Sequence, residues 1–217
     1  MAAHPSVVAA PAGVAPASVA EAHGHVQRGI SNPILGMILF IASEVMFFAG
    51  LFAAYFNVRL TAAHWPPLVN EQEYEAFNLH TPEHLLVAGT LTAILVLSSV
   101  TMQLGVWAIR RGDRTAFLRA TGVTLVLGIV FLVGQVWDYT QLEFGITDTA
   151  FGSTFYTLTG FHGAHVLGGA IMLSVVLYRG LAGQFSARHH DAVEATSLYW
   201  HFVDVVWIAL FSTLYLL

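Results

Sequence analysis

Five stretches of this chain are apolar and long enough to cross a lipid bilayer, and this pattern constrains the fold more than any other feature. They cover about residues 34–58, 85–110, 117–140, 151–178 and 196–217. A helix needs about 20 mainly apolar residues to cross ~30 Å of hydrocarbon, because each residue advances it by 1.5 Å. The pattern therefore predicts an all-α fold, an integral membrane bundle of five transmembrane helices.

The composition excludes several other classes of protein. Hydrophobic residues make up 56% of the chain and charged residues 10%, whereas a soluble domain carries about 25% charged residues. The chain has no cysteine, so it can form neither a disulfide framework nor a thiolate metal site. Its net charge of −5 argues against a nucleic-acid partner, since nucleic-acid binding usually needs a basic patch.

The chain divides into two parts of different composition. Residues 1–30 are rich in Ala, Pro and Val and lack helical periodicity, which is typical of a disordered tail. Residues 31–217 contain the five spans and form the predicted membrane domain.

The arginines predict how the spans are oriented. All eight basic residues are arginine, and seven fall on one side of the predicted membrane. These seven are Arg28, Arg110, Arg111, Arg114, Arg119, Arg179 and Arg188. Only Arg59 lies on the other side. Because loops rich in arginine stay in the cytoplasm, we expect a cytoplasmic N-terminus and an outward-facing C-terminus.

Five short segments, in this order along the chain, carry a family resemblance. They are Ser43–Phe48, Ser98–Gln103, Ile146–Phe155, Tyr156–Gly169 and Tyr199–Trp207. Together they resemble the cytochrome c oxidase subunit III family of the haem–copper oxidases, over about residues 33–217. The resemblance implies a bacterial plasma-membrane complex that reduces O₂ to water and pumps protons.

The same resemblance implies what this chain contributes. It would contain no catalytic residue, metal or redox cofactor of its own. Haem and copper would lie in partner subunits, with subunit I contacted directly, subunit II and small subunits in the same complex, and phospholipid bound. Family members commonly have seven helices with a lipid-filled cleft between the first two and the last five. The segments here match the last five, as in shorter bacterial members.

Two other functions remain open from the sequence. One is an accessory subunit of a respiratory nitric oxide reductase, which is related to the oxidases. The other is a stand-alone membrane transporter, which should show internal repeats or broken helices around a midplane site. We find neither feature in this sequence.

Three charged residues are candidates for lipid binding or support of proton uptake. Glu44 lies near the middle of the first span, and the matching family glutamate implies one of these two roles. Its alternative role is structural, as a protonated carboxyl group bonded to a neighbouring helix. Arg179 and Arg188 lie in the last connection, where they could bind phospholipid headgroups or only set the topology.

Two pairs of polar residues lie within spans at a spacing of three, which places each pair on one helix face. His162 and His165 occupy the fourth span, and His201 and Asp204 occupy the fifth. No second cluster completes a metal-ligand set at a suitable spacing. We therefore expect all four side chains to make polar contacts between helices.

A row of small residues predicts close helix packing in the fourth span. Gly160, Ala164 and Gly168 recur every four residues. Such a row lets the backbone of a neighbouring helix approach closely.

Overall fold

The computed structural model describes residues 29, 31–62, 65, 79, 82–142 and 144–217. The tail predicted for residues 1–30 lies outside this part, apart from residue 29. The described chain forms five helices and a final π-helical turn: α1 (Asn32–Thr61), α2 (Pro82–Arg110), α3 (Arg114–Tyr139), α4 (Ala150–Leu181), α5 (Asp191–Phe211) and the turn Ser212–Leu216. All five helices are long and apolar enough to cross a membrane. The predicted all-α fold is thus confirmed.

The helices are longer than the predicted spans because apolar residues mark only the part that crosses the hydrocarbon. The clearest case is α5, which begins at Asp191 rather than near residue 196. Its first turn carries Asp191 and Glu194. Negative charges stabilise the positive end of the helix dipole there, so the helix continues into the polar interface.

The connection between α2 and α3 is a tight turn. Gly112 has a φ of 79°, in the left-handed region that glycine adopts without steric cost. The Asp113 carboxylate then accepts a hydrogen bond of 2.9 Å from the Ala116 amide, which caps the start of α3. From the same turn, Arg114 donates to the Gly180 carbonyl at 3.1 Å. This bond joins the beginning of α3 to the end of α4.

Helix α5 is the centre of the bundle. It packs against α1, α2 and α4, while α3 packs against α2 and α4. In its most apolar 18-residue window, 61% of the residues are buried, against 6% in α1. Helix α1 therefore lies at the edge, where it contacts α4 and α5.

Trp200 of α5 joins three other helices. Its side chain is 1% exposed, and its indole N–H donates to the Ser98 hydroxyl of α2 at 2.9 Å. Cβ atoms built on Gly128 of α3 and Gly169 of α4 would lie 2.6 and 2.7 Å from its ring. The indole thus fits only because both facing positions lack a side chain.

The close contact between α4 and α5 does not follow the row of small residues that the sequence predicts. Of that row, only Gly168 faces α5, where a Cβ would lie 3.3 Å from the Tyr199 hydroxyl. Ala164 is exposed, and a Cβ on Gly160 would meet no described atom within 4 Å. The tightest approach to α5 is instead at Gly169, where a Cβ would lie 2.7 Å from the Trp200 ring. Gly169 is one residue further along and turned by about 100° on the helix.

Candidate functional site

The structure brings Glu44 and His165 together between α1 and α4. Glu44 lies twelve residues into α1, or about 18 Å from its start, which is well within the hydrocarbon region. Its Oε2 atom is 3.0 Å from Nε2 of His165. The other ring nitrogen of His165, Nδ1, is 2.7 Å from the Phe161 carbonyl oxygen.

These two contacts determine where one proton lies. The Phe161 carbonyl can only accept a hydrogen bond, so Nδ1 of His165 must carry hydrogen. A single further proton then lies between Nε2 of His165 and Oε2 of Glu44. Either the acid is protonated and the imidazole neutral, or the two form an ion pair. Both arrangements have zero net charge, which lowers the cost of placing the pair within a membrane.

Aromatic rings surround the imidazole of His165. Phe48 meets it edge-on with centroids 5.0 Å apart, and Phe47 stacks on it at 6.3 Å. Tyr199 of α5 donates to the His165 carbonyl oxygen at 3.0 Å. The side chains of His165 and Glu44 nevertheless keep 15% and 19% of their surface exposed. The pair can therefore be reached from the face of the bundle that α1 borders.

His162 occupies a different environment although it shares a helix face with His165. It is buried and stacks on Trp207 of α5 at 4.9 Å. Phe131 of α3 meets it edge-on at 5.8 Å. We expected a hydrogen bond here, but both ring nitrogens lack a partner among the described residues. Its contact between helices is thus made by the ring face.

His201 and Asp204 both point toward α2. Nε2 of His201 lies 3.3 Å from Oε1, the side-chain amide oxygen, of Gln103. Asp204 is 7% exposed, and its polar neighbours include the Ser99 hydroxyl and His201. One carboxyl oxygen, Oδ1, has no hydrogen-bond partner among the described residues. Asp204 therefore lies inside the bundle and away from the lipid.

The two candidate headgroup-binding arginines differ in their surroundings. Arg179 donates to the Gln184 side chain at 2.9 Å and lies 4.8 Å over the Phe185 ring. Arg188 is exposed. Both lie at the same end of the bundle as the α2–α3 turn, because Arg114 of that turn bonds the end of α4.

Sequence reasoning missed a polar cluster at this end. Glu194 of α5 accepts from Arg110 of α2 at 2.9 Å and lies 3.0 Å from Nε2 of His190. The spacing of four between His190 and Glu194 is a signal for such a contact. The link to Arg110, 84 residues away, has no counterpart in the local sequence.

Within the described residues, no group of three or more His, Asp or Glu side chains is placed to hold a metal ion. Glu44 and His165 form a pair that combines a shareable proton with access from the face that α1 borders. It is our candidate functional site.

Comparison with known proteins assigns the family. The sequence profile described as cytochrome c oxidase subunit III matches residues 15–217. The chain belongs to the cytochrome c oxidase subunit III family. It is thus a membrane subunit of a respiratory oxidoreductase, and neither the nitric oxide reductase nor the transporter interpretation gains support.

The curated relatives agree over most of their length. Cytochrome c oxidase subunit 3 of Synechocystis is 44% identical over 200 residues, covering 91% of this chain and 80% of the relative. The protein of that name from Corynebacterium diphtheriae is 45% identical over 185 residues, covering 83% and 86%. The one from Sus scrofa is 38% identical over 195 residues, covering 88% and 70%.

Proposed function

We propose that this oxidase subunit has no redox centre and packs directly on the subunit that holds haem and copper. Together with bound phospholipid, it supports proton uptake by that catalytic subunit. Subunit II and small subunits would belong to the same complex. The observation that carries the proposal is the Glu44–His165 pair deep in a span, where Oε2 of Glu44 and Nε2 of His165 are 3.0 Å apart. A couple in that position requires a reason beyond packing, since polar groups there are costly.

The geometry suits a supporting role rather than chemistry on substrate. The proton between Glu44 and His165 can shift from one to the other without changing the net charge of the pair. The Phe161 carbonyl holds the imidazole by its other nitrogen, so the ring keeps its orientation in both forms. Lipid headgroups would be held further toward the cytoplasm by Arg188, which is exposed, and by Arg179.

Replacing Glu44 tests this role. We expect an oxidase with Glu44→Ala to assemble and to begin turnover at the normal rate, but to inactivate after fewer turnovers or to retain less phospholipid. Glu44→Gln should keep the contact, because its amide can still donate to Nε2 of neutral His165, but it cannot share a proton and should therefore show the same loss of endurance. The measurement is oxygen consumption by the purified complex until activity stops, with lipid content determined on the same sample.

The matched control is Val45→Ala, next in the chain and 52% exposed. It should leave both endurance and lipid content unchanged. Immediate loss of activity in a fully assembled Glu44→Ala complex would contradict a supporting role. Unchanged endurance and lipid content would reduce Glu44 to a packing residue.

We also propose that the chain lies in a bacterial plasma membrane with its N-terminus in the cytoplasm. The support is the clustering of arginines at one end of the bundle. Contacts of Arg110 with Glu194 and of Arg114 with Gly180 bring the two arginine-rich connections together. Arg59 lies at the other end of α1. The excess of arginine favours a cytoplasmic position for the end that carries Arg110 and Arg114.

Cysteine labelling tests this orientation without background, since the chain has no cysteine. Ala187 and Gln141 are both exposed and lie in connections at opposite ends of the bundle. In spheroplasts, whose plasma membrane is intact, a membrane-impermeant maleimide should label Gln141→Cys. It should label Ala187→Cys only after the plasma membrane has been permeabilised. The reverse pattern would invert the topology.

A further inference from the structure

Two apolar grooves run along the outer surface of the bundle, one on each side of α3. The first lies between α2 and α3 and has a volume of about 450 Å³. The second lies between α3 and α4 and has a volume of about 530 Å³. Arg119 and Val123 line both grooves. The two grooves therefore flank one ridge of α3, and we call them together the α3 grooves.

Two arginines lie at the polar end of the α3 grooves. Arg111 lines the first groove and Arg119 lines both, and both side chains are exposed. Among the described residues, neither guanidinium forms a hydrogen bond or ion pair, whereas Arg110 bonds Glu194. Asp113, in the same turn, uses its Oδ1 to cap α3. The groove end thus presents two cations that are available to an anion.

The length of the grooves matches one leaflet of a bilayer. From Arg111 to Thr101 the first groove spans ten residues of α2 and the turn after it, which is about 15 Å along a helix. This is half of the ~30 Å hydrocarbon thickness. At its deep end the Thr101 hydroxyl is already bonded to Thr124 and to the Ser98 carbonyl, each at 2.8 Å. That end therefore suits the end of an acyl chain.

The two grooves share a basic end, because Arg119 lines both. Two apolar grooves with one cationic end correspond to a molecule with two apolar chains and one negative headgroup.

We propose that the α3 grooves bind one anionic phospholipid of the cytoplasmic leaflet. One acyl chain lies in each groove, on either side of Val123, and the phosphate lies between Arg111 and Arg119. The long apolar stem of Arg119 follows the helix surface while its guanidinium reaches the headgroup. This site is separate from Glu44 and from the headgroup contacts proposed for Arg179 and Arg188.

The test uses the purified oxidase complex, delipidated in detergent and titrated with phosphatidylglycerol while bound lipids are counted by native mass spectrometry. Each arginine near an anionic lipid surface contributes about a fivefold factor in affinity. The double variant Arg111→Gln/Arg119→Gln should therefore bind one phosphatidylglycerol about 25-fold more weakly. Phosphatidylcholine should bind the unaltered site more weakly than phosphatidylglycerol. Millimolar inorganic phosphate should not displace the lipid, because it lacks the acyl chains.

Two tryptophan variants on α3 test the shape of the grooves without changing their charge. Val123→Trp would fill both grooves and should abolish binding of this lipid. Val133→Trp introduces the same ring on an exposed position of α3, 65% exposed, outside the grooves and should leave binding unchanged. Equal phosphatidylglycerol binding by the arginine variant and the unaltered complex would overturn the proposal. Loss of another protein subunit from the Val123→Trp complex, with the lipid count preserved, would also overturn it and assign the surface to a protein contact.

Discussion

Gly169→Val should remove most of this subunit from the purified oxidase. The new side chain would place its Cβ 2.7 and 2.8 Å from two atoms of the Trp200 ring and 3.2 Å from Tyr199. Trp200 cannot retreat, because Gly128 confines its opposite edge and Ser98 holds its N–H. Overpacking of a core costs about 1–3 kcal/mol, and this site is confined on three sides, so we expect the upper part of that range. The measurement is the ratio of this subunit to the rest of the complex after purification.

Gly160→Val is the matched control on the same helix. No described atom lies within 4 Å of a Cβ at that position, so the ratio of subunits should remain unchanged. Gly89→Val on α2, which is equally open, is a second control. If Gly169→Val assembles as well as both controls, then Trp200 is not held as tightly as the structure indicates. If Gly160→Val alone among the controls fails, its face contacts another subunit.

His165→Leu should weaken retention of the subunit in the complex more than the replacement of both Glu44 and His165 by Leu. The single change leaves Glu44 deep in α1 without its hydrogen-bond partner, at a cost of about 1–3 kcal/mol. Replacing both residues with Leu removes the unpaired group and should be nearly neutral. Glu44→Leu should lie between them, because neutral His165 still donates from Nδ1 to the Phe161 carbonyl. The thermal midpoint of subunit release from the purified complex measures all three variants.

A double variant whose defect equals the sum of the two single defects would show that Glu44 and His165 act independently. His162→Leu serves as a comparison on the same helix. That side chain has no hydrogen-bond partner among the described residues, so its replacement leaves no polar group stranded. Its effect should come only from the lost ring contact with Trp207 and should not depend on Glu44.

Several properties of this protein follow from its sequence alone. The apolar stretches gave the number and order of the helices, because only a helix satisfies its own backbone within hydrocarbon. The five matching segments gave the family, which the profile and the relatives confirm. The positions of Glu44 and Asp204 within spans marked both as groups that need a partner.

The partners themselves were decided by the tertiary structure. Glu44 and His165 are 121 residues apart, and helical spacing grouped His165 with His162 instead. The sequence also does not show which face of each helix is buried. Gly160 and Gly169 look alike in the sequence, yet Gly160 is open and Gly169 packs against Trp200. The reason is physical. In a membrane the lipid-facing side is as apolar as the buried side, so hydrophobic periodicity does not fix the rotation of a helix. That rotation is set here by shape, where the Trp200 ring fits between two glycines.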